Sequence, residues 1–442
     1  MPTLNNPRTI RAWAFFDWAN SSYALVIAVA IFPAYYSQIT SAEINMGSFS
    51  ISSSGLHAFS ISGAYLLIAL FSPFLSGIAD YGGKKKWFMR FFTTMGSLAC
   101  ISMFFFTAHA NLDPNIQPLS QVLVGTISFM LATIGFAGAL VFYNAFLPEI
   151  ATEDQYDRVS AKGFSFGYFG SVILLVVCLL AISFPQWFGL PEEGALAVRL
   201  SFVAVGLWWL GFAQIPFRQL PADKPDQPIA KLITKGYREL RKTWKIVRKE
   251  ANMLGFLASF FFYSAGVQTV LFLAATFAEE ELDFQPERLI LIILVLQLVA
   301  IPGAFTFARL SEKRGNKFAL VTLLLIWSVI CIGAYFVETD KQFYVIAASV
   351  GLVMGGIQSL SRSTYSKLMP EGTQDTASFF SFYDILEKLA IVLGTFTFGF
   401  IEQITGGMHN SILALVFFFL VGLVLLITVR IKHSVETEEA VP

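Results

Sequence analysis

Charged side chains are scarce in this chain of 442 residues. Asp, Glu, Lys and Arg make up 14% of it, whereas hydrophobic residues make up 55%. A soluble protein carries about 25% charged residues, so the composition excludes a soluble domain with an ordinary surface. Histidine is also rare: the four histidines lie near the ends of apolar segments, in loops or in the C-terminal tail. Any proton carrier in the middle of an apolar segment must therefore be a carboxylate.

Cysteine is nearly absent, and the three that occur do not form a motif. Cys100, Cys178 and Cys331 each lie inside an apolar segment, without the spacing of a metal site or a disulfide framework. We interpret them as packing residues. The sequence also lacks a Gly-Lys-Ser phosphate loop and a nucleophile elbow. These absences argue against an ATP-driven pump and an enzyme, and we expect no metal, no cofactor and no nucleic-acid partner.

Long apolar runs dominate what is present. About 20 apolar residues suffice for a helix to cross a bilayer, and the backbone in lipid must form its hydrogen bonds within the segment. The predicted helices, numbered 1 to 12, are 12–38, 55–79, 87–108, 120–147, 163–184, 197–217, 251–278, 289–308, 318–337, 342–361, 378–401 and 411–431. We therefore predict an all-α membrane protein, with one bundle in residues 1–217, a linker in 218–250 and a second bundle in 251–442.

Basic residues are sorted to one side of the predicted membrane. All but four of the 30 Lys and Arg residues lie on the side that holds both termini, the exceptions being Arg199, Arg288, Lys341 and Lys388. Cytoplasmic loops are enriched in Lys and Arg. Both termini are therefore predicted to be cytoplasmic, in a multi-pass protein of the cell (inner) membrane.

The longest loop on that side separates six helices from six. Pro221, Pro225 and Pro228 at its start are typical of an extended linker. Between Ile229 and Glu250, apolar residues recur at helical spacing among Lys and Arg. This pattern predicts a basic amphipathic helix on the membrane surface that bridges the two bundles. A calmodulin-type target helix is the alternative.

Each half contains a short loop with an acid, a glycine three residues later and basic residues nearby. These residues are Asp80, Gly83, Lys84 and Lys85 after helix 2, and Glu312 and Gly315 after helix 8. Glycine permits a tight turn between two helices. The acid is expected to accept from the N-terminus of a neighbouring helix or to pair with a base such as Arg90. A solvated turn is the alternative.

Two further matches between the halves follow in the same order. Leu147-Pro148-Glu149 ends helix 4 as Met369-Pro370-Glu371 ends helix 10. Helix 1 contains Phe15-Phe16-Asp17-Trp18 where helix 7 contains Phe261-Phe262-Tyr263-Ser264. Three matches at a nearly constant offset predict a duplication. We expect the two six-helix bundles to be related by a pseudo-two-fold axis.

The loop from Asp80 to Lys85 resembles the signature loop of the major facilitator superfamily. Phe16-Asp17-Trp18-Ala19-Asn20-Ser21 resembles the first helix of the branch that contains the vacuolar amino-acid effluxers and their bacterial relatives. The segments Leu147–Glu149, Gly163–Gly170 and Ser361–Tyr365 are similar to that branch as well. The resemblance covers most of the chain. It implies the major facilitator fold, a central cavity and alternating access, with a monomer as the family default.

Ionisable residues inside the predicted helices are costly in lipid, at roughly 2.5–3.5 kcal/mol each, and they are few. Asp17 lies in helix 1 with Asn20 and Ser21 on the same face, so this stripe is expected to face the protein interior. Asp17 could bind a cationic group or a coupling proton, or it could form a fixed structural bond. Arg362 in helix 10 could clamp a carboxylate or pair with an acid of helix 11.

Helix 11 contains three charged residues, Asp384, Glu387 and Lys388. Asp384 and Lys388 are four residues apart and can pair, which leaves Glu387 without a local partner. Glu387 is therefore predicted to be the better titrating site. The alternative is that all three lie near the interface and extend towards water.

Uncharged polar residues at mid-depth complete the candidate site. They are Tyr143, Asn144, Tyr168, Tyr263, Gln268, Gln297 and Gln358. They could bind a zwitterion or could join helices through hydrogen bonds. Gly163, Gly167 and Gly170 of helix 5, and Gly351 and Gly355 of helix 10, are typical of closely packed helices.

We expect a secondary transporter that moves a small polar solute, either coupled to protons or down the gradient of the solute. The preferred substrate is an amino acid or a similar metabolite moved outward, a preference that the family resemblance implies. A drug or organic-anion exporter of the same fold is the first alternative. A membrane receptor or assembly protein that has lost transport is the second.

Overall fold

The computed structural model describes residues 4–40, 43–45, 50–107, 119–191, 195–223, 229–282, 286–405 and 408–431. Its first bundle contains helix 1 (Pro7–Ile39), helix 2 (Ser53–Gly82), helix 3 (Lys85–Ser102), helix 4 (Leu119–Ala145), helix 5 (Tyr156–Ser183) and helix 6 (Leu196–Phe212). Its second bundle contains helix 7 (Ala251–Leu282), helix 8 (Pro286–Arg314), helix 9 (Asn316–Tyr335), helix 10 (Asp340–Leu368), helix 11 (Thr376–Thr405) and helix 12 (Met408–Thr428).

Shorter elements join these helices. A two-stranded antiparallel hairpin, β1 (Glu43–Asn45) and β2 (Ser50–Ser52), precedes helix 2 and pairs Glu43 with Ser52. Short helices at Leu147–Ile150 and Gln214–Gln219 follow helices 4 and 6. Helix 1 begins and ends as an α-helix, but Tyr23–Ile31 is a π-helix. Such wide turns are frequent at functional sites.

Eleven helices among the described residues are long and apolar enough to cross a membrane. The twelfth, helix 11, has 30 residues. Its apolar surface is interrupted by Asp384, Glu387 and Lys388, the three charges predicted from the sequence. The prediction of an all-α, twelve-helix membrane protein is confirmed. The face at which helix 1 begins and helix 12 ends is called the terminal face below.

Several of the observed helices extend beyond their predicted ends. Helix 5 begins at Tyr156, seven residues before the predicted start, and helix 10 continues to Leu368 rather than ending at 361. The added turns are polar, so hydropathy alone did not include them. Their side chains form contacts between the bundles at the terminal face, which stabilises these turns as helix.

Corresponding helices of the two bundles pack in corresponding ways. Helix 1 packs on helix 5 as helix 7 packs on helix 11, and helix 3 packs on helix 4 as helix 9 packs on helix 10. Across the interface, helix 2 packs on helix 11 and helix 8 packs on helix 5. These reciprocal contacts are those expected of two bundles related by a pseudo-two-fold axis.

A linker helix (Ile229–Lys249) precedes helix 7 directly. It packs chiefly against helix 2, and Thr243 and Val247 on one side are fully buried. Trp244 contacts Phe382 of helix 11 with ring centroids 5.3 Å apart, and Lys242 forms an ion pair with Asp375 at 3.1 Å. The predicted bridging helix therefore contacts both bundles. Pro225 and Pro228, predicted to lie in an extended linker, are outside the described residues.

Candidate functional site

A polar cavity lies between the two bundles. Its volume is about 310 Å³, at the lower end of the about 300–1,000 Å³ of a typical small-molecule pocket. The candidates that line it are Asp17, Asn20, Asn144, Tyr168, Tyr263, Gln268, Gln358, Arg362, Glu387 and Lys388. Gln297 also lines it, whereas Asp384 and Tyr143 are not among the lining residues. Helices from both halves therefore bring the predicted residues to one central space.

Arg362 of the second bundle reaches into the first. Its side chain is 3% exposed. Its guanidinium donates from Nε to Ser160 Oγ and from Nη2 to the Ser160 carbonyl, both at 2.9 Å. From Nη1 it donates to Asn144 Oδ1 at 3.2 Å and to Asp17 Oδ2 at 3.4 Å. All of these acceptors belong to the first bundle, so Arg362 joins the halves at the terminal end of the cavity.

The partner of Arg362 differs from one of the two predicted alternatives. Pairing with Asp384 or Glu387 on helix 11 was wrong, because the guanidinium points across the interface to helices 1, 4 and 5. Ser160 was missed as a ligand of this group, and nothing in its sequence context distinguishes it from other small helix residues.

Asp17 is held by its own bundle as well as by Arg362. Tyr143 Oη donates to Asp17 Oδ2 at 2.7 Å. Gly163 faces this pair closely, since a Cβ atom at that position would lie 2.6 Å from Asp17 Oδ2 and 2.9 Å from Arg362 Nη2. The predicted close packing of the helix 5 glycines is confirmed, and at Gly163 it is what lets an arginine from the other bundle enter.

Helix 11 carries a second charged cluster on the cavity wall. Lys388 Nζ lies 3.1 Å from Asp384 Oδ1 and 2.8 Å from Glu387 Oε2. The predicted pair of Asp384 with Lys388 is observed. Glu387 was expected to lack a local partner, and this was wrong: it also accepts from Gln268 Nε2 at 3.2 Å. Asp384 and Lys388 are 5% and 6% exposed, so they do not extend towards water, whereas Glu387 is 25% exposed.

Several neutral candidates use their hydrogen-bonding groups within the protein. Tyr168 Oη donates to Gln358 Oε1 at 2.5 Å across the interface, and Tyr263 Oη contacts Ser361 Oγ at 2.8 Å. Asn20 differs from them. Its side chain is 1% exposed, and neither amide atom has a hydrogen-bond partner among the described residues. A buried amide without a partner is costly, so Asn20 is a position where a bound solute would gain hydrogen bonds.

The signature loop after helix 2 contacts the other bundle through an acid. Asp80 accepts from the backbone N–H groups of Ala377 and Ser378, at 3.2 and 2.7 Å. These groups lie in the first turn of helix 11, where unpaired N–H groups and the helix dipole favour a carboxylate. Gly83 adopts φ +61° after Asp80, as Gly315 adopts φ +84° after Glu312. Both turns therefore need the left-handed backbone that glycine supplies.

The two lysines that follow Gly83 occupy different positions. Lys84 precedes helix 3 as its N-cap residue. Lys85 pairs with Asp80 at 3.1 Å and with Glu149 at 2.5 Å, and it donates to the Gln374 carbonyl at 3.0 Å. Pairing of Asp80 with Arg90 was wrong, because Arg90 Nη2 donates to the Phe217 carbonyl at 3.0 Å instead. Arg90 therefore holds helix 3 to the end of the first bundle.

A second set of contacts closes the terminal face beside helix 5. Asp157, which is 1% exposed, accepts from Ser311 Oγ at 2.8 Å, Asn316 Nδ2 at 2.7 Å and Lys367 Nζ at 2.8 Å. Arg158 Nη2 pairs with Glu312 Oε2 at 3.0 Å. Asp157 was not predicted from the sequence, because its neighbours Glu153 and Asp154 are typical of a solvated loop. We call these contacts, with those of Asp80 and Lys85, the terminal gate.

Comparisons with known proteins agree with this architecture. The family described as "Vacuole effluxer Atg22 like" matches residues 5–439. The "Uncharacterized MFS-type transporter YxiO" of Bacillus subtilis is 31% identical over 434 residues, 97% of this chain and 96% of that protein. "Autophagy-related protein 22" of Kluyveromyces lactis is 26% identical over 418 residues, 88% of this chain and 80% of that protein.

A solved structure shows the same fold at low sequence identity. The major facilitator superfamily transporter FucP superposes with a TM-score of 0.69 at 14% identity, over 97% of this chain and 99% of that one. The family match spans both bundles and both signature loops. The chain therefore belongs to the Atg22-like effluxer family and is a membrane transporter with the major facilitator fold.

Proposed function

We propose that this protein is a secondary active transporter that carries amino acids or similar zwitterionic metabolites by alternating access. The observation that carries the proposal is the position of the cavity. It lies between the bundles, it is lined by the scarce charges of both, and the terminal gate closes it on one side. A cavity closed at one face only is the arrangement that an alternating-access cycle requires.

The charges of the cavity suit a solute that has both signs. Arg362 and Lys388 could attract a carboxylate, and Asp17 and Glu387 could attract an ammonium group. Asn20 and Gln297 each present a buried amide atom without a partner among the described residues. An organic-anion exporter would use the cationic groups only, so the requirement for an ammonium group separates these two hypotheses.

Glu387 is our proposed proton carrier. Its side chain is 25% exposed, whereas the side chains of Asp17 and Asp384 are 6% and 5% exposed. A proton must reach its carrier through water, and Glu387 is the most accessible of these three carboxylates. It also keeps a neutral partner, Gln268, that can bond either protonation state.

The proposal includes the direction of transport and the orientation of the protein in the membrane. The excess of Lys and Arg at the terminal face supports a cytoplasmic location for that face, and with that orientation we propose that the cavity opens outward. The description of the family as an effluxer supports export. We propose a monomer in the cell (inner) membrane, in which residues 1–217 and 251–442 move against each other around the linker 218–250.

Counterflow tests the function directly. Purified protein in proteoliposomes loaded with mixed amino acids is expected to accumulate at least one labelled amino acid above the level of empty liposomes. An imposed proton gradient is expected to increase the accumulation. A protein that only senses or assembles would give no accumulation with any amino acid or organic anion. Flux of organic anions alone would support the exporter hypothesis instead.

Glu387→Gln is expected to abolish the response to the proton gradient while counterflow at equal pH continues. Glutamine can still bond to Gln268 and Lys388, but its amide neither gains nor releases a proton at neutral pH. The same assay measures both quantities on one preparation. If Glu387→Gln still responds to the proton gradient, Glu387 is not the proton carrier and another group has that role.

Asp157→Asn is expected to open the terminal gate. Loss of the charge on Asp157 weakens its bonds to Lys367 and Asn316, and hydrogen bonds to charged groups contribute about 1.5–3 kcal/mol. The reporter is Ser378→Cys, at a fully buried position. A membrane-impermeant maleimide added at the terminal side should label it about tenfold faster in the variant.

The reporter lies beside helix 2, whereas Asp157 acts beside helix 5, so faster labelling requires the whole face to open. Asp154→Asn is the matched control, since Asp154 is an exposed acid three residues earlier whose hydrogen bonds go to Thr152 and Gln155 in its own loop. Equal labelling in Asp157→Asn and Asp154→Asn would show that the gate does not depend on this carboxylate.

A further inference from the structure

The surroundings of the Arg362 guanidinium form a site that belongs entirely to the first bundle. Besides its four hydrogen bonds, the Cζ atom lies over three aromatic rings: Phe164 at 4.2 Å, Trp13 at 4.8 Å and Tyr143 at 5.4 Å from the ring centroids. Rings within about 6 Å of a cation attract it. We call the set Asp17, Asn144, Ser160, Trp13, Tyr143 and Phe164 the guanidinium receptor.

The receptor is held together without Arg362. Trp13 Nε1 donates to the Tyr143 carbonyl at 3.0 Å, and the two rings stack with centroids 4.4 Å apart. Tyr143 Oη in turn bonds to Asp17. Because these contacts lie within the first bundle, they persist when the second bundle moves away. The receptor is therefore preorganised to bind a cation, and this cation must leave the receptor during the transport cycle.

Withdrawal of Arg362 leaves a buried carboxylate among aromatic rings. In the state in which the terminal gate is open, called the terminal-open state, Arg362 has left Asp17. A buried acid without its partner is strongly unfavourable, so this state needs another cation at Asp17. The acceptors sit on two edges of a flat group, with Ser160 on the Nε and Nη2 edge and Asn144 with Asp17 at Nη1. That fork arrangement fits a planar guanidinium better than a compact ammonium.

We propose that a guanidinium-bearing solute occupies this receptor when the terminal gate opens, and that Arg362 is its internal competitor in the closed state. Asp17, Asn144 and Phe164 line the cavity, so a solute in the cavity can reach them. The substrate role rests on the proposed transport function, whereas the binding site does not. In the terminal-open state the charge of Asp17 is compensated by the solute, and on closure it is compensated by Arg362.

Arg362→Gln vacates the receptor and allows a direct binding test. Methylguanidinium should bind this variant at least about tenfold more tightly than uncharged methylurea, because only the cation gains the ring contacts and a charge-assisted bond to Asp17. Calorimetry and the thermal unfolding midpoint measure both probes. Adding Asp17→Asn to the variant should remove the preference. Equal binding of the two probes, or a preference that survives Asp17→Asn, would overturn the proposal.

Arg199→Gln is the matched control. Arg199 also stacks on a ring, with Cζ 4.2 Å from the Phe104 centroid, and donates to the Phe104 carbonyl at 2.6 Å. The structure gives it no carboxylate partner among the described residues. Methylguanidinium should therefore not bind the site vacated in Arg199→Gln. Binding there as tight as in Arg362→Gln would show nonspecific stacking and would overturn the proposal.

A second measurement does not require Arg362→Gln to fold. In protein that carries only Ser378→Cys, L-arginine should compete with Arg362 and stabilise the terminal-open state, which increases maleimide labelling from the terminal side. L-Citrulline, its uncharged isostere, should not. Equal labelling with both would overturn the proposal. Failure of counterflow with intact guanidinium binding would instead contradict the proposed transport function and leave the receptor in place.

Discussion

Asp17→Asn is expected to lower counterflow by roughly two orders of magnitude while the protein still folds. Removing one partner of a buried ion pair costs about 3–5 kcal/mol, and here the cost falls on the terminal-closed state, where Arg362 lies against Asp17. In the terminal-open state Asp17 has lost that partner, so neutralising it favours this state. A loss of about 3 kcal/mol from one state changes the ratio of the two by roughly 100-fold. A cycle that needs both states then slows.

Flux of a labelled amino acid in proteoliposomes measures this effect, and size-exclusion chromatography before and after heating measures folding. Asp17→Glu is the conservative control, since it keeps the charge and should retain a large part of the flux. Wild-type flux in Asp17→Asn would remove this carboxylate from the mechanism. Aggregation of Asp17→Asn but not Asp17→Glu would instead identify a purely structural pair.

Lys388→Met is expected to destabilise helix 11 more than any other single neutral substitution in the cavity. The change leaves Asp384 and Glu387 one turn apart without a cation, and Asp384 is the more deeply buried of the two. Its Oδ2 atom already has no hydrogen-bond partner among the described residues. A buried charge that loses its partner costs about 3–5 kcal/mol, so the thermal midpoint should fall clearly and expression should drop.

Double variants separate the two acids. Lys388→Met with Asp384→Asn should recover most of the stability, because the buried charge is then gone. Lys388→Met with Glu387→Gln should recover little, since Glu387 is partly exposed and bonded to Gln268. Equal recovery in the two double variants would show that exposure does not decide which acid needs Lys388.

The fold could be predicted from the sequence because its causes are local. Apolar length defines each helix, the sorting of Lys and Arg defines the sides, and repeated motifs such as Leu147-Pro148-Glu149 define the halves. What hydropathy misses are the polar ends, as at Tyr156 and Leu368, where the helix is stabilised by contacts with the other bundle. Such contacts have no signature in a single chain segment.

The candidate site, too, could be predicted only where the signal lies within a single helix. Asp17 and the pair of Asp384 with Lys388 follow from one helix at a time, since rarity in lipid or a four-residue spacing reveals them. The partner of Arg362 does not follow from a single helix, because the contact to Asp17 joins residues 345 positions apart in the sequence. Asp157 was missed for the converse reason: its sequence neighbours are solvated, whereas its partners come from helices 8, 9 and 10.

The loops after helices 2 and 8 differ in what they contact, although they share the same spacing of acid and glycine. Asp80 bonds to backbone N–H groups of helix 11, which every residue except proline possesses, whereas Glu312 bonds to the side chain of Arg158. The side chains at positions 377 and 378 can therefore change during evolution without loss of the hydrogen bonds to Asp80. The second contact can survive only by paired exchange, so correlated substitution in relatives is expected between 158 and 312 and not between 80 and the start of helix 11.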